Sequence, residues 1–458
     1  MTHATIRPMH RPAGFARAVH RRPRRLGWLS TLSAGLVALA VLAAACGSTG
    51  PTGSTGSTGS TGPSGSTAPA SPTVSAPPTP AVDPATVYAT IEDQVIGIRG
   101  LQPTTKVDPK ILDDAGIKKL VADSFSKDNP PETIAANERI LKAFGLLPAD
   151  ASLADLYVNL LGSQVAGLYN PDDKTLYVVS RSGSLGPAEK TTFAHEFTHA
   201  LQDQNFDIHS LQLDEIGQGD RSFSRLALVE GDATLLMSLW QIQNLTQAEL
   251  GQLLAQAGSD PSTKVLLDMP PILRESLLFP YTGGLAFVQG LQASGGWRAV
   301  NDAFAKPPAS TEQILHPEKY ASGEAPVAVS LPKDLVTGLG AGWKVALEDT
   351  FGEFQLGIWL RGNTAIGAGG ANDAAAGWGG DRIALVDGPN QTWSVILRTA
   401  WDTAADAAVF ETAAKPLVDG LAAPAALLPG SGGSERWIVI GSDDATLNRV
   451  AGLLGLAG

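Results

Sequence analysis

The chain has 458 residues, 33 of them basic and 45 acidic, for a net charge of −12. That length exceeds one ordinary domain, so two domains, or one with a large extension, are expected. The acidic balance argues against nucleic acid as a partner, and a single cysteine leaves no structural disulfide within the chain.

Residues 1–25 carry seven arginines and no acid, and an apolar run from about Leu26 to Ala45 leads to Cys46. This is the layout of a secretion signal, not of a folded element. Leu42-Ala43-Ala44-Ala45-Cys46 resembles a bacterial lipobox, with Ala43 standing where leucine is usual. The resemblance implies lipidation of Cys46 and an extracytoplasmic protein anchored in the cell membrane by that lipid. An uncleaved anchor is the competing reading, because a spanning helix needs about 20 apolar residues. Without the leader arginines, 26 basic residues face 45 acidic ones, a net charge of −19. Within the segment 46–83, residues 47–82 are almost all Gly, Ser, Thr, Pro and Ala, with a repeated Gly-Ser-Thr unit. No apolar pattern there can offset ordering entropy, so the segment reads as a flexible tether with a span on the order of 35 Å.

Residues 84–325 read as a helical prefix joined to a catalytic domain. Asp83-Pro84 and Asp108-Pro109 each place a capping acid before a proline at the first helical position. Asn129-Pro130-Pro131 opens a third helix through Phe144, and Leu153–Leu161 makes a fourth. Val165–Tyr169 and Lys174–Val179 read as two strands around the turn residues Asn170-Pro171-Asp172-Asp173.

The next segment, His195-Glu196-Phe197-Thr198-His199, carries the chemistry. Histidines four apart lie on one face of a helix, so both imidazoles can reach one metal ion. Glu196 can then approach a water at an open coordination position, as the general base of a zinc hydrolase. Only four histidines lie outside the leader, and two of them are in this motif. Asp203, four residues after His199, is a candidate to accept the N–H that a metal-bound imidazole turns away from the ion; a solvated aspartate at the helix end is the alternative reading. A hydrolytic zinc site takes three protein ligands, and Glu230 is the expected third. It is a carboxylate inside the apolar helical run Leu226–Trp240, where burial is costly unless the group is paired or bound to metal. Asp232 competes for this role but points away from Glu230 on a helix.

With HEFTH at 195–199 and VEGDA at 229–233, the chain resembles the gluzincins, HExxH peptidases whose third ligand is a glutamate on a second helix. The resemblance covers about residues 165–320. It implies a mainly helical zincin-like domain with a short β-hairpin edge sheet. It also implies Zn2+ held by His195, His199 and Glu230, and Glu196 activating a zinc-bound water. Thermolysin-like members carry an aspartate four residues after the ligand glutamate, where this chain has Thr234. Phe279-Pro280-Tyr281-Thr282-Gly283-Gly284 looks like the segment that holds a catalytic tyrosine in aminopeptidase-type members, with Tyr281 as oxyanion donor. The loop with which those members grip a substrate amino terminus is absent, so endopeptidase action on polypeptides is the expectation. Ser310–Pro317 reads as a capped turn into a short helix; its His316 is a candidate transition-state donor, with a structural role in fixing the loop as the favoured reading.

Residues 326–458 read as a smaller α+β domain. Phe354–Leu360 is expected as a strand and 363–380 as a loop. Arg382–Val386 and Trp393–Arg398 form a hairpin around Asp387-Gly388-Pro389-Asn390, and Ala404–Leu421 is a helix. Trp437–Ile440 is a strand before a last helix, with helices expected on one face of the sheet. The overall fold class is therefore α+β. The competing function is a non-catalytic envelope lipoprotein with a structural or vestigial zinc site and a C-terminal binding module. Hydrolysis of a non-peptide amide would use the same residues.

Overall fold

The computed structural model describes residues 83–164, 167–179, 185–259 and 261–456. The signal segment, Cys46 and the tether up to residue 82 lie outside the described residues. In chain order the elements are α1 (Pro84–Arg99), β1 (Lys110–Leu112), α2 (Asp114–Asp128), α3 (Pro131–Ala143), α4 (Leu153–Gln164), β2 (Gly167–Asn170), β3 (Thr175–Val179), α5 (Pro187–Phe206) and α6 (Gly219–Asn244). Then follow α7 (Gln247–Ser259), α8 (Pro261–Leu267), α9 (Pro271–Ala305), α10 (Thr311–Leu315), α11 (Pro317–Ser322), α12 (Leu335–Leu339) and β4 (Lys344–Asp349). The chain ends with α13 (Gly352–Leu360), α14 (Gly367–Ala375), β5 (Trp378–Asp387), β6 (Trp393–Trp401), α15 (Ala404–Asp419), β7 (Ala425–Pro429), β8 (Glu435–Gly441) and α16 (Asp444–Leu453). The fold is mixed α and β with two small sheets, as α+β requires. Among the described residues no helix is long and apolar enough to cross a membrane.

Helix α5 is buried on all its faces from Thr191 to Asp203, which makes it a central helix and not a surface one. On one side it packs against the first sheet, ordered β1-β3-β2, with β1 parallel and β2 antiparallel to β3. Phe193, Phe197 and Leu201 share a core there with Tyr169, Leu176 and Val178. Helix α1 closes that core, packing Tyr88 against Phe193 in a tilted pair with ring centroids 4.5 Å apart. The Asp83 cap holds, but the second helix starts later than Asp108-Pro109 suggested. Residues 110–112 pair with β3 instead, and Asp113 caps α2 by accepting from Gly116 N at 2.7 Å.

Helices α6 and α9 cross backbone to backbone. A Cβ added at Gly231 would lie 2.2 Å from the Gly284 carbonyl oxygen, and one at Gly284 would lie 2.1 Å from that of Ala227. Only glycine permits such an approach. The crossing brings α9, with Pro280 inside it, directly against the middle of α6.

The second sheet is antiparallel, ordered β4-β5-β6-β8-β7. Ile383, Leu385, Val395, Leu397, Ile438 and Ile440 face a core closed by α13, α14 and α15. Val386, Ile396 and Val439 face the opposite way, under α12 and α16. Helices thus cover both faces, not one. The near-continuous apolar runs of β5, β6 and β8 are the pattern that two-sided burial demands. Phe354–Leu360 is helix, not strand. All nine residues of α13 are buried, and an unbroken apolar run does not distinguish a buried helix from a buried strand. The expected loop at 363–380 contains the alanine-rich α14. Helix α3 of the prefix contributes Ala136, Ile140 and Phe144 to the second sheet's core, and Phe144 O accepts from Trp359 Nε1 at 3.1 Å. Phe354 and Ile358 of α13 reach back into the core around α6 and α9.

Candidate metal centre

Because α5 is buried all round, its two motif histidines point inward at α6. His195 Nε2 and His199 Nε2 lie 3.0 Å apart, and Glu230 Oε2 lies 3.2 Å from the first and 3.4 Å from the second. Tetrahedral zinc, with bonds of about 2.0–2.1 Å, sets its ligand atoms about 3.3 Å apart. The triangle therefore has the size of one face of such a tetrahedron, and two imidazole nitrogens with one carboxylate oxygen are a donor set that could hold such an ion. Burial opposes charge on His199, yet the adjacent Glu230 carboxylate overrides it and lifts the imidazole to about 9. Burial likewise opposes ionisation of Glu230, and the two histidines outweigh it and hold the carboxyl below its usual range.

Glu196 sits beside this triangle. Its Oε2 accepts from Tyr169 N at 2.7 Å, so edge strand β2 holds the carboxylate through a main-chain donor. Burial pushes Glu196 up, against the histidines and the Tyr169 N–H. Glu196 is 3% exposed, and His199, at 8%, is the most open of the four. Tyr281 of α9 packs its ring on His195, with centroids 6.2 Å apart. It follows Pro280, whose missing N–H interrupts the helical ladder beside the site.

Two expected residues lie elsewhere. Asp203 does not serve an imidazole. Its Oδ2 accepts from Tyr169 Oη and Lys174 Nζ, both at 2.8 Å, because the β2–β3 hairpin reaches the same face of α5. The imidazole partner is Gln202, whose Oε1 lies 2.9 Å from His199 Nδ1. His316 is not a donor at this site. Its Nε2 lies 2.8 Å from Glu353 Oε1 on α13, and that hydrogen bond raises the imidazole from its ordinary value.

A family model matches residues 344–449, described as a domain of unknown function (DUF8575). The match begins at β4 and ends in α16, beyond His195, His199 and Glu230. No curated protein and no solved structure matches the chain.

Glu312, Glu324 and Asp402 also converge, but Lys319 Nζ fills their centre at 2.6, 3.0 and 2.6 Å. That cluster ties α10 and α11 to the second sheet, with its charge already met by an ammonium. A separate cavity, lined by Gly219, Asp220, Asp349 and Thr350, lies at the start of α6. Ten residues of helix, about 15 Å, separate it from Glu230.

Proposed function

We propose that the chain is a zinc-dependent endopeptidase, exported and held at the outer face of the cell membrane by lipid on Cys46. The observation that carries the reading is the triangle of His195 Nε2, His199 Nε2 and Glu230 Oε2 at 3.0–3.4 Å. A zinc ion held there supplies Lewis-acid activation of water and of a scissile carbonyl. The remaining work falls to the chain's own residues. Glu196 is the general base. With Oε2 engaged by Tyr169 N, Oε1 is the oxygen that takes a proton from the attacking water. Glu196 then passes that proton to the leaving amine as the C–N bond breaks. Tyr281, whose ring lies near that of His195, is the proposed donor to the oxyanion. Polypeptide is the substrate, and the acidic surface leaves nucleic acid out.

Burial of all four residues favours a second reading, a structural zinc site in a non-catalytic envelope lipoprotein. The presence of Glu196 argues for the catalytic reading, since a structural site has no use for a general base. The test is hydrolysis of a quenched peptide library by the zinc-loaded chain and by its Glu196→Gln variant. The expected result is cleavage by the parent and a loss of at least about 100-fold in the variant, both binding zinc alike. Equal turnover by the two would overturn the mechanism, and zinc binding with no cleavage by either would favour the structural reading.

A further inference from the structure

One buried polar chain leads away from the metal triad. With His199 Nε2 facing the other ligand atoms, its Nδ1–H donates to Gln202 Oε1 at 2.9 Å. Gln202 Nε2 donates to Val229 O at 3.0 Å and to Asp232 Oδ2 at 2.9 Å. Asp232 Oδ1 accepts from Arg99 Nε at 2.8 Å. The orientation of the Gln202 amide is fixed by its neighbours, because Val229 O and the Asp232 carboxylate can only accept. Gln202 and Asp232 are fully buried and Arg99 is 1% exposed. The Arg99 guanidinium lies 4.6 Å over the Trp297 ring, and its Nη1 and Nη2 have no hydrogen-bond partner among the described residues. His195 has no such support, since its Nδ1 is buried without a partner among the described residues. The ordering of the site by hydrogen bonds behind the ligands therefore runs through His199 alone. Arg99 is the last residue of α1, the first helix after the tether, and Trp297 directly follows the break at Gly296 in α9.

We propose that Gln202, Asp232 and Arg99 are positioning residues for the metal centre: they fix the tautomer and direction of His199 and make α1 an integral part of the site. This rests on the reading of His195, His199 and Glu230 as metal ligands. An amide stands where a carboxylate is the more usual partner of a ligating imidazole. The negative charge is thus held one residue farther back and is balanced there by Arg99. The order of donors and acceptors has a testable consequence. Gln202→Glu sets two buried carboxylates against each other. Gln202→Glu with Asp232→Asn restores the alternation between the two side chains, with the new amide donating to the new carboxylate and accepting from Arg99, and leaves only Val229 O without its donor.

The experiment is zinc affinity of the full chain, by competition with a chromophoric chelator, together with the visible spectrum after loading with Co2+. Unfolding of each metal-free variant is followed alongside. Gln202→Glu is expected to weaken zinc binding about 10–100-fold and to change the Co2+ spectrum. The double variant is expected to regain most of that loss. Arg99→Met is expected to weaken binding as well; if it fails to fold, the Gln202 and Asp232 pair carries the test. Tight binding by the parent with equal binding by Gln202→Glu would overturn the relay and leave the metal site standing. A double variant as weak as the single one would also overturn it. A parent that binds no zinc would overturn the reading of the ligand triad itself, and the relay with it.

Discussion

Replacing Gly231 by alanine tests the α6–α9 crossing on which Glu230 and Tyr281 depend. The added methyl would lie 2.2 Å from Gly284 O, 2.3 Å from its carbonyl carbon and 2.9 Å from its Cα. All three are backbone atoms, so no side-chain rotation relieves the clash. Ordinary contact begins near 3.4 Å, so the helices must part by about 1 Å. Overpacking of that kind costs about 1–3 kcal/mol. For a unit of roughly 150–250 residues each kcal/mol lowers Tm by about 2–4 °C. The displacement also moves Glu230, the neighbouring residue, relative to Tyr281, which lies one helical turn before Gly284. A shift of about 1 Å near a reacting centre can cost on the order of 100-fold in rate. Scanning calorimetry and zinc affinity of Gly231→Ala in the full chain should therefore show a Tm lower by several degrees and weakened metal binding. An unchanged Tm with unchanged zinc affinity would refute the crossing as the device that sets the site.

Two further expectations concern the junction between α6, α10 and the second sheet. Burial raises Asp220 to about 8, with Asp381 and Glu312 pushing the same way and hydrogen bonds from Thr311 opposing them. Burial likewise raises Asp349 to about 6 and Glu312 to about 7, and it raises Asp381. Because the folded chain binds these protons more tightly than the unfolded one, the stability that these four groups contribute should fall as pH rises from about 4 to about 8 and level off above. Every tenfold gain in proton affinity on folding is worth at most about 1.4 kcal/mol. Thermal unfolding should show a higher Tm at pH 6 than at pH 8.5, with the difference reduced in Asp220→Asn; an identical pH profile in that variant would refute the assignment. Lys319→Met leaves Glu312, Glu324 and Asp402 facing one another without their cation. Loss of one partner of a buried pair costs about 3 kcal/mol, and the half-exposure of Glu324 places this case toward the low end. Denaturant unfolding should show that loss, partly restored by adding Glu312→Gln.

Much of the site could be read before the fold. The HExxH spacing put two imidazoles on one helix face, and a lone glutamate in an apolar run marked the third position. The hairpin was legible from its turn residues. The supporting groups were not. Gln202 and Asp203 both lie within a turn of His199 and are equally placed on a helix. Only the arrival of Lys174 and Tyr169 from the hairpin gives Asp203 other work. Gln202 carries no charge to draw notice, and Arg99 comes from a helix 133 positions before Asp232. Asp232 was visible as a buried acid, yet its partner was not. In the second sheet, edge strands β4 and β7 have mixed or small side chains, Lys344–Asp349 and Ala425–Pro429, and only pairing with β5 and β8 makes them strands. The run Phe354–Leu360 has no period to read because every face of it is covered.

The most direct measurement of the central claim is the zinc content and zinc X-ray absorption of the full chain, beside Glu230→Gln. One ion per chain, bound by two imidazole nitrogens and oxygen at about 2.0–2.1 Å, with occupancy sharply reduced in the variant, is the expected result. No bound zinc, or a ligand set that the loss of Glu230 leaves unchanged, would contradict it.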